Sequence, residues 1–276
     1  MTENSTRPSR ILYADLDGTL LGPGGSLFAT PHGLTTEAAE ALGALHEAPV
    51  SLVLVSGRTR EQMREAARIL QAEAYIAELG AFVVERPEDV VTNFGAFRGG
   101  GRPFDAMARS GAGGFLLERY RGILEPHTPW SLQDREATML FRGMLDPGEA
   151  TVTLAKAGYS WLELLDNGVI PRSYPTLDVD EVHAYHLVPR GVNKSSGVRL
   201  HRERRKVPVS ATAVIGDSLS DAQIAGEVGT AFIVGPFGEA MGLGPELPEN
   251  LRMESEPAGI GFARAVHHLL ETWGRP

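Results

Sequence analysis

Short apolar runs alternate with longer stretches of helical spacing over much of this chain. Ile11–Ala14 is an unbroken apolar run ending at Asp15, which predicts a strand buried on both faces. Leu52–Val55 is a second such run, followed at once by Ser56-Gly57. Tyr75–Ala77, Ala211–Ile215 and Ala231–Val234 read as further strands. Between them, Thr36–Glu47 carries Ala39, Leu42 and Leu45 on one helical stripe. Thr59 with Gln62 three residues on is a capping-box pattern, for a helix running to about Glu73. Asp221–Val228 predicts a short helix and Ala258–Thr272 a closing amphipathic one. Leu20–Phe28, rich in Gly and Pro, reads as a loop, and Met1–Arg10 as a short loose tail. The alternation of buried strands with helices predicts an α/β fold with a mainly parallel sheet. Ligands bind such sheets at the carboxyl ends of the strands, where Asp15, Ser56, Glu78 and Asp217 stand.

The middle of the chain has a different pattern. Ala137–Leu140, Trp161–Leu165 and Val182–Leu187 read as strands, and Asp166-Asn167-Gly168 as a hairpin-type turn. Phe97–Gly114, with many glycines, reads as a mobile loop. Arg86-Pro87 and Pro189-Arg190-Gly191 bracket this segment. It is expected to be an inserted domain at 84–187, splitting a core made of 1–83 and 188–276.

Composition narrows the chemistry. With 276 residues, 42% of them apolar, the chain can bury a sizeable core without a disulfide or metal staple. It has no cysteine, which excludes thiolate metal sites and a cysteine nucleophile. A net charge of −9 argues against a general nucleic-acid binder. No apolar run approaches the ~18 residues of a membrane span, and no targeting segment is visible, so a cytoplasmic location is expected. Basic residues are nearly all arginine; only Lys156, Lys194 and Lys206 are lysine.

Asp15-Leu16-Asp17-Gly18-Thr19 ends the first strand, and Gly18 permits a sharp bend there. Two carboxylates this close repel unless a cation lies between them, and oxygen ligands favour Mg²⁺. An Asp-x-Asp alone could equally be a helix N-cap or an Asx-turn. Gly216-Asp217-Ser218-Leu219-Ser220-Asp221 brings two more acids to the same sheet edge, and that strengthens the metal reading. Ser56-Gly57-Arg58 offers a hydroxyl and free N–H groups ahead of a helix, either an anion cradle or a plain turn. Lys194 opens a predicted helix; it is a compact point charge beside the site or an exposed helix-start lysine.

In order and position, these four segments resemble the four motifs of the haloacid dehalogenase superfamily, mostly Mg²⁺-dependent phosphatases. The insertion between the second and third motifs matches the C2-capped branch. That branch includes the Cof-type, sucrose-phosphate and mannosyl-3-phosphoglycerate phosphatases and the phosphomannomutases. The resemblance implies a Rossmann-like, mainly parallel core sheet with an inserted α/β cap. It implies that Asp15 attacks phosphorus to form an aspartyl phosphate and that Asp17 serves as acid and then base. Thr19, Ser56, Gly57 and Lys194 would contact the phosphoryl group. Mg²⁺ would be held by Asp15, the Asp17 backbone carbonyl and Asp217, with Asp221 direct or through water. The expected substrate is a small phosphate ester such as a sugar phosphate, with no nucleic-acid or membrane partner. The chain departs from the family where it has Ser220 and Leu79 in place of common Asn, and Ser195 in place of Gly after Lys194. None of these removes an acid, base or nucleophile.

Other residues are set aside. His183 and His186 fall on opposite faces of a strand, which argues against a shared metal site. His267-His268 read as surface, and Tyr159 and Trp161 as core of the insertion. Glu78 is either a site residue or a surface one. One or two arginines of the insertion could grip an anionic substrate. A phosphomutase would share every core residue. A receiver-like signalling module also gathers acids, a hydroxyl and a lysine around a phospho-accepting Asp, but is much shorter and has no use for Asp17.

Overall fold

The computed structural model describes residues 10–235 and 247–274. The tail expected at Met1–Arg10 lies outside them except for Arg10. An eight-stranded sheet forms the larger layer. Its strands run, from one edge, Leu251–Glu254, Thr230–Val234, Thr212–Gly216, Arg10–Asp15, Val50–Val55, Ala74–Ala77, Phe82–Arg86 and Asp89–Thr92. The first six are parallel to one another, and the last two join antiparallel.

Alternate residues of the central strands enter two separate cores. Leu12, Ala14, Leu52 and Leu54 pack on one face with Met63, Phe262 and Val266. Ile11, Tyr13, Val53 and Val55 pack on the other with Val198 and Ile224. Helices cover both faces, so the strands read as continuous apolar runs instead of alternating ones. The helix Arg60–Leu70 begins with the expected Thr59–Gln62 capping box. It stops short of Glu73 because Gln71 takes a left-handed conformation, φ 53°. Asp221–Val228 is not one helix: an α-turn spans Leu219–Ala222, and a 3-10 segment follows at Gln223–Glu227. No helix among the described residues is long and apolar enough to cross a membrane.

A second sheet, wholly antiparallel, is built from the middle of the chain in the order Leu162–Val169, His183–Pro189, Met139–Gly143 and Leu124–Pro126. It has its own core, including Met107, Leu116, Phe141, Leu154 and Leu187. Relative to the division expected at 84 and 187, the hairpin Phe82–Thr92 pairs into the large sheet, and His183–Pro189 pairs into the second.

Two local expectations are corrected. Asp166-Asn167-Gly168 does not turn the chain; it lies inside the strand Leu162–Val169, where the pairing register shifts. Gly168, at φ 103°, donates its N–H to Asp166 Oδ1 at 2.8 Å, and pairing resumes at Val169 with His183. A bulge and a tight turn need the same residue types, so composition alone does not separate them. Residues 103–114 are not a loop. Pro103–Ser110 and Ala112–Arg119 are helices that bury Met107 and Leu116. Gly111, at φ 79°, breaks the one from the other.

Beneath the sheet, Tyr13 Oη and His201 Nδ1 form a buried 2.9 Å hydrogen bond. Burial, reinforced by Arg205 and Arg204, pulls His201 down to about 3. Its folded value lies below the unfolded value of 6.5, so its contribution is complete above about pH 6.5 and is lost as pH falls toward 3. His201→Gln, which can still meet Tyr13, should therefore flatten the acid limb of stability. Urea midpoints at pH 7 and pH 5 should show about 1–2 kcal/mol less acid loss than the native chain.

Candidate active site

Strand order explains how the site comes together. Arg10–Asp15 lies between Thr212–Gly216 and Val50–Val55, so Asp15, Asp217 and Ser56 emerge side by side at the carboxyl edge. After Asp15 the chain folds back sharply: Leu21 N–H donates to Leu16 O at 2.7 Å, and Gly18 N–H to Leu21 O at 2.8 Å. Gly18 sits at φ 87°, and a Cβ there would fall 2.0 Å from Asp217 Oδ2. No other residue leaves room for the carboxylate. Gly216 has the same function toward Asp221, whose Cβ would lie 2.2 Å away.

Lys194 is the centre of this edge. Asn193 and Ser196 cap the helix Lys194–Arg205 with a capping box, so the lysine enters the site on the first helical turn. Its Nζ donates to Asp15 Oδ1 and to Asp221 Oδ1, both at 2.8 Å. All three residues are buried. Burial opposes the lysine's charge, but Asp15 and Asp221 outweigh it and hold the group above the usual lysine range. Thr19 Oγ1 donates to Asp217 Oδ1 at 3.0 Å, so the hydroxyl expected to touch substrate orients a carboxylate. The Ser218 hydroxyl and N–H both donate to Asp221 Oδ2.

Asp15, Asp217 and Asp221 each bring a carboxylate oxygen within 4.8 Å of the others. One lysine cannot neutralise two buried acids and a half-buried third. Burial drives Asp15 well above its usual range against the pull of Lys194, and burial with the nearby Asp221 pushes Asp217 up to about 7. An all-oxygen set with excess negative charge is the donor chemistry of a hard divalent cation, and Mg²⁺ fits it. Asp17 is outside the cluster. Its side chain is 57% exposed and meets Arg58 as a two-point pair, with Nε to Oδ2 at 2.8 Å and Nη2 to Oδ1. Of Asp17, only the backbone carbonyl was expected at the metal.

Ser56 is buried between these groups and the next strand, its N–H donating to Ile76 O at 3.0 Å and its hydroxyl accepting from Arg58 N–H at 3.3 Å. Arg58 was not singled out from sequence as a partner of Asp17; its place one residue past Ser56-Gly57 was the available sign. Glu78 is not a surface residue. It is fully buried in a left-handed conformation, φ 46°. Its carboxylate accepts the N–H groups of Glu136, Ala137 and Thr138 at 2.9–3.0 Å and the Thr138 hydroxyl at 3.0 Å. It thereby ties the large sheet to the start of a strand in the second. His183 pairs with Asp166 and Glu181, while His186 faces the other way, buried against Gly57.

Residues 12–94 match the family model of haloacid dehalogenase-like hydrolases. Solved structures share the fold over nearly the whole length of this chain. A Synechocystis sucrose-phosphatase, solved with sucrose and phosphate, is 15% identical, with 94% of this chain and 97% of that one covered at TM-score 0.66. A Bacteroides thetaiotaomicron phosphatase of the superfamily is 17% identical, with 97% of each chain covered at TM-score 0.61. The subclass IIB sugar phosphatase BT4131 is 16% identical, with 94% and 98% covered at TM-score 0.58. No curated protein matches the chain in sequence.

Removing the lysine should expose what it offsets. Lys194→Met leaves Asp15 and Asp221 buried without their cation, which costs about 3–5 kcal/mol. Urea unfolding in EDTA should show that loss at pH 8. At pH 5 it should be smaller, because a carboxyl group can then take up a proton.

Proposed function

We propose that the chain is a Mg²⁺-dependent phosphatase of small phosphorylated metabolites, with a sugar phosphate as the expected substrate class. The observation that carries this reading is Lys194 bridging Asp15 and Asp221, with Asp217 alongside and the Ser56 cradle on the next strand. Phosphoryl transfer needs a nucleophile, an anion cradle and charge neutralisation in fixed positions. This edge can supply all three, and the chain has no thiol to offer instead.

Asp15 attacks phosphorus, and the bond to the leaving oxygen breaks as the aspartyl phosphate forms. Lys194 pulls against the burial that disfavours charge on the attacking carboxylate. It also faces the negative charge gathering on the phosphoryl oxygens. Ser56 donates a hydrogen bond to one of those oxygens, and the N–H groups after it add to the cradle. Asp17 gives a proton to the departing alcohol and later takes one from the water that releases phosphate. In the structure its oxygens are held by Arg58, so this work requires that pair to part. The Asp15, Asp217 and Asp221 carboxylates and the Asp17 carbonyl would hold Mg²⁺. When bound, the ion offsets the excess negative charge of the site and of the phosphate ester. The segment carrying the second sheet is proposed as the cap that frames the leaving group and excludes bulk water.

Two measurements check these roles. Asp15→Asn should release no phosphate above background from any ester that the native chain hydrolyses, and EDTA should do the same reversibly. Asp17→Asn should slow an alkyl phosphate by about 10²–10⁴. It should slow p-nitrophenyl phosphate much less, because nitrophenolate departs without a proton. Appearance of an isomeric sugar phosphate in place of free phosphate would mark a mutase instead.

A further inference from the structure

The second sheet carries a buried polar cluster that the proposed chemistry leaves unused. Arg135 precedes the strand Met139–Gly143 and is 3% exposed. Its Nη1 donates to the Gly57 carbonyl at 3.0 Å and to the Thr138 hydroxyl at 2.9 Å, both uncharged acceptors. Its Nε is buried without a partner. The carboxylate that acts on it, Glu78, has its oxygens taken by the N–H groups of 136–138 and the Thr138 hydroxyl. Among the described residues no carboxylate forms an ion pair with Arg135.

Two more side chains from other parts of that sheet approach the same residue, Gly57. A Cβ on Gly57 would lie 2.9 Å from Cε1 and Nε2 of His186 and 3.2 Å from Nδ2 of Asn167. His186 Nδ1 and Asn167 Oδ1 are buried and unpartnered. Burial, with Arg135, His127 and Lys194 adding to it, holds His186 well below its usual range, so its ring is a neutral hydrogen-bonding group.

A guanidinium taken out of water without a counter-ion is unfavourable unless an anion completes it. An Nε–H can only donate, so the missing partner is an acceptor. The groups proposed for the transferred phosphoryl all stand on the large-sheet edge. These three stand on the insertion, at the residue immediately after Ser56. We propose that Arg135, with His186 and Asn167, forms an anion site on the cap that binds a second anionic group, carboxylate or phosphate, carried by the leaving part of the substrate. This rests on the phosphatase reading and narrows its substrate to an ester with two anionic groups.

The test compares the native chain, Arg135→Gln and Arg135→Lys on three kinds of ester: a sugar bisphosphate or phosphorylated hydroxy acid, a neutral sugar monophosphate, and p-nitrophenyl phosphate. For the ester with two anions, Arg135→Gln should raise KM about 10–100-fold, the loss of a charge-assisted hydrogen bond, and Arg135→Lys should recover part of it. The other two esters should change less than about threefold, given that the lost bond is absent from them. An equal loss on all three would assign Arg135 to the phosphoryl group or to seating the cap and overturn the proposal, as would no loss on any. A second readout needs no turnover and stands even if no ester is hydrolysed, the result that would sink the phosphatase reading alone. In EDTA, where the acidic cluster repels anions, sulfate should raise the native Tm but not that of Arg135→Gln. Equal shifts, or none in the native chain, would overturn the anion site.

Discussion

The ammonium of Lys194 stands between two carboxylates where water does not reach, and the geometry of the whole edge follows from that. A buried lysine is tolerable only with counter-charges at hydrogen-bond distance. That requirement fixes the start of the Lys194–Arg205 helix against the ends of the strands bearing Asp15 and Asp217. In turn the lysine opposes the burial that disfavours charge on Asp15. The balance is incomplete, since three acids face one base. That deficit of positive charge, more than the identity of any one residue, makes the site receptive to a divalent cation. Gly18 and Gly216 are the steric counterpart: each gives up a side chain so that an acid can approach the backbone.

A second buried charge organises the join between the two sheets. Glu78 reaches from the large sheet to three successive N–H groups ahead of Met139–Gly143, where backbone N–H groups and the Thr138 hydroxyl solvate the anion. Arg135, the preceding residue, is thereby set over Gly57. The two sheets are thus registered to each other by the Glu78 carboxylate and by the bond from Arg135 to Gly57. The left-handed backbone at Glu78 and Leu79 is part of the same construction, because it turns the chain at the strand end and aims the carboxylate across the gap.

The core of the large sheet could be read from the chain because its strands are buried on both faces and appear as uninterrupted apolar runs. Asp15, Ser56 and Asp217 could be read because each stands at or just past the end of such a run. Lys194 stood out through the scarcity of lysine and its place at the start of a predicted helix. Glu78 and Arg135 were not legible in the same way. Their meaning lies in a contact between segments far apart in sequence, and nothing local distinguishes a buried glutamate at a strand end from a solvated one. The helices Pro103–Ser110 and Ala112–Arg119 were hidden by glycines at 111, 113 and 114. One of these ends a helix, and Gly113 is small because Met139 presses on it, where a Cβ would meet the sulfur at 3.0 Å. Pro103 at the first helical turn was a start signal that the glycines outweighed.

The strand order also has a consequence for how the molecule is made. The Arg10–Asp15 strand lies in the middle of the large sheet, and one of its two neighbours, Thr212–Gly216, is contributed by chain far downstream. Such pairing closes a long loop before it gains any contact, which slows folding and delays completion of the sheet. The segment bearing Asp15 must wait for one synthesised much later before its acidic end is enclosed. A nascent or truncated chain therefore holds Asp15 and Asp17 without Lys194 or Asp217, and cannot assemble the charge cluster in part. In this architecture, the charge cluster and completeness of the fold arrive together.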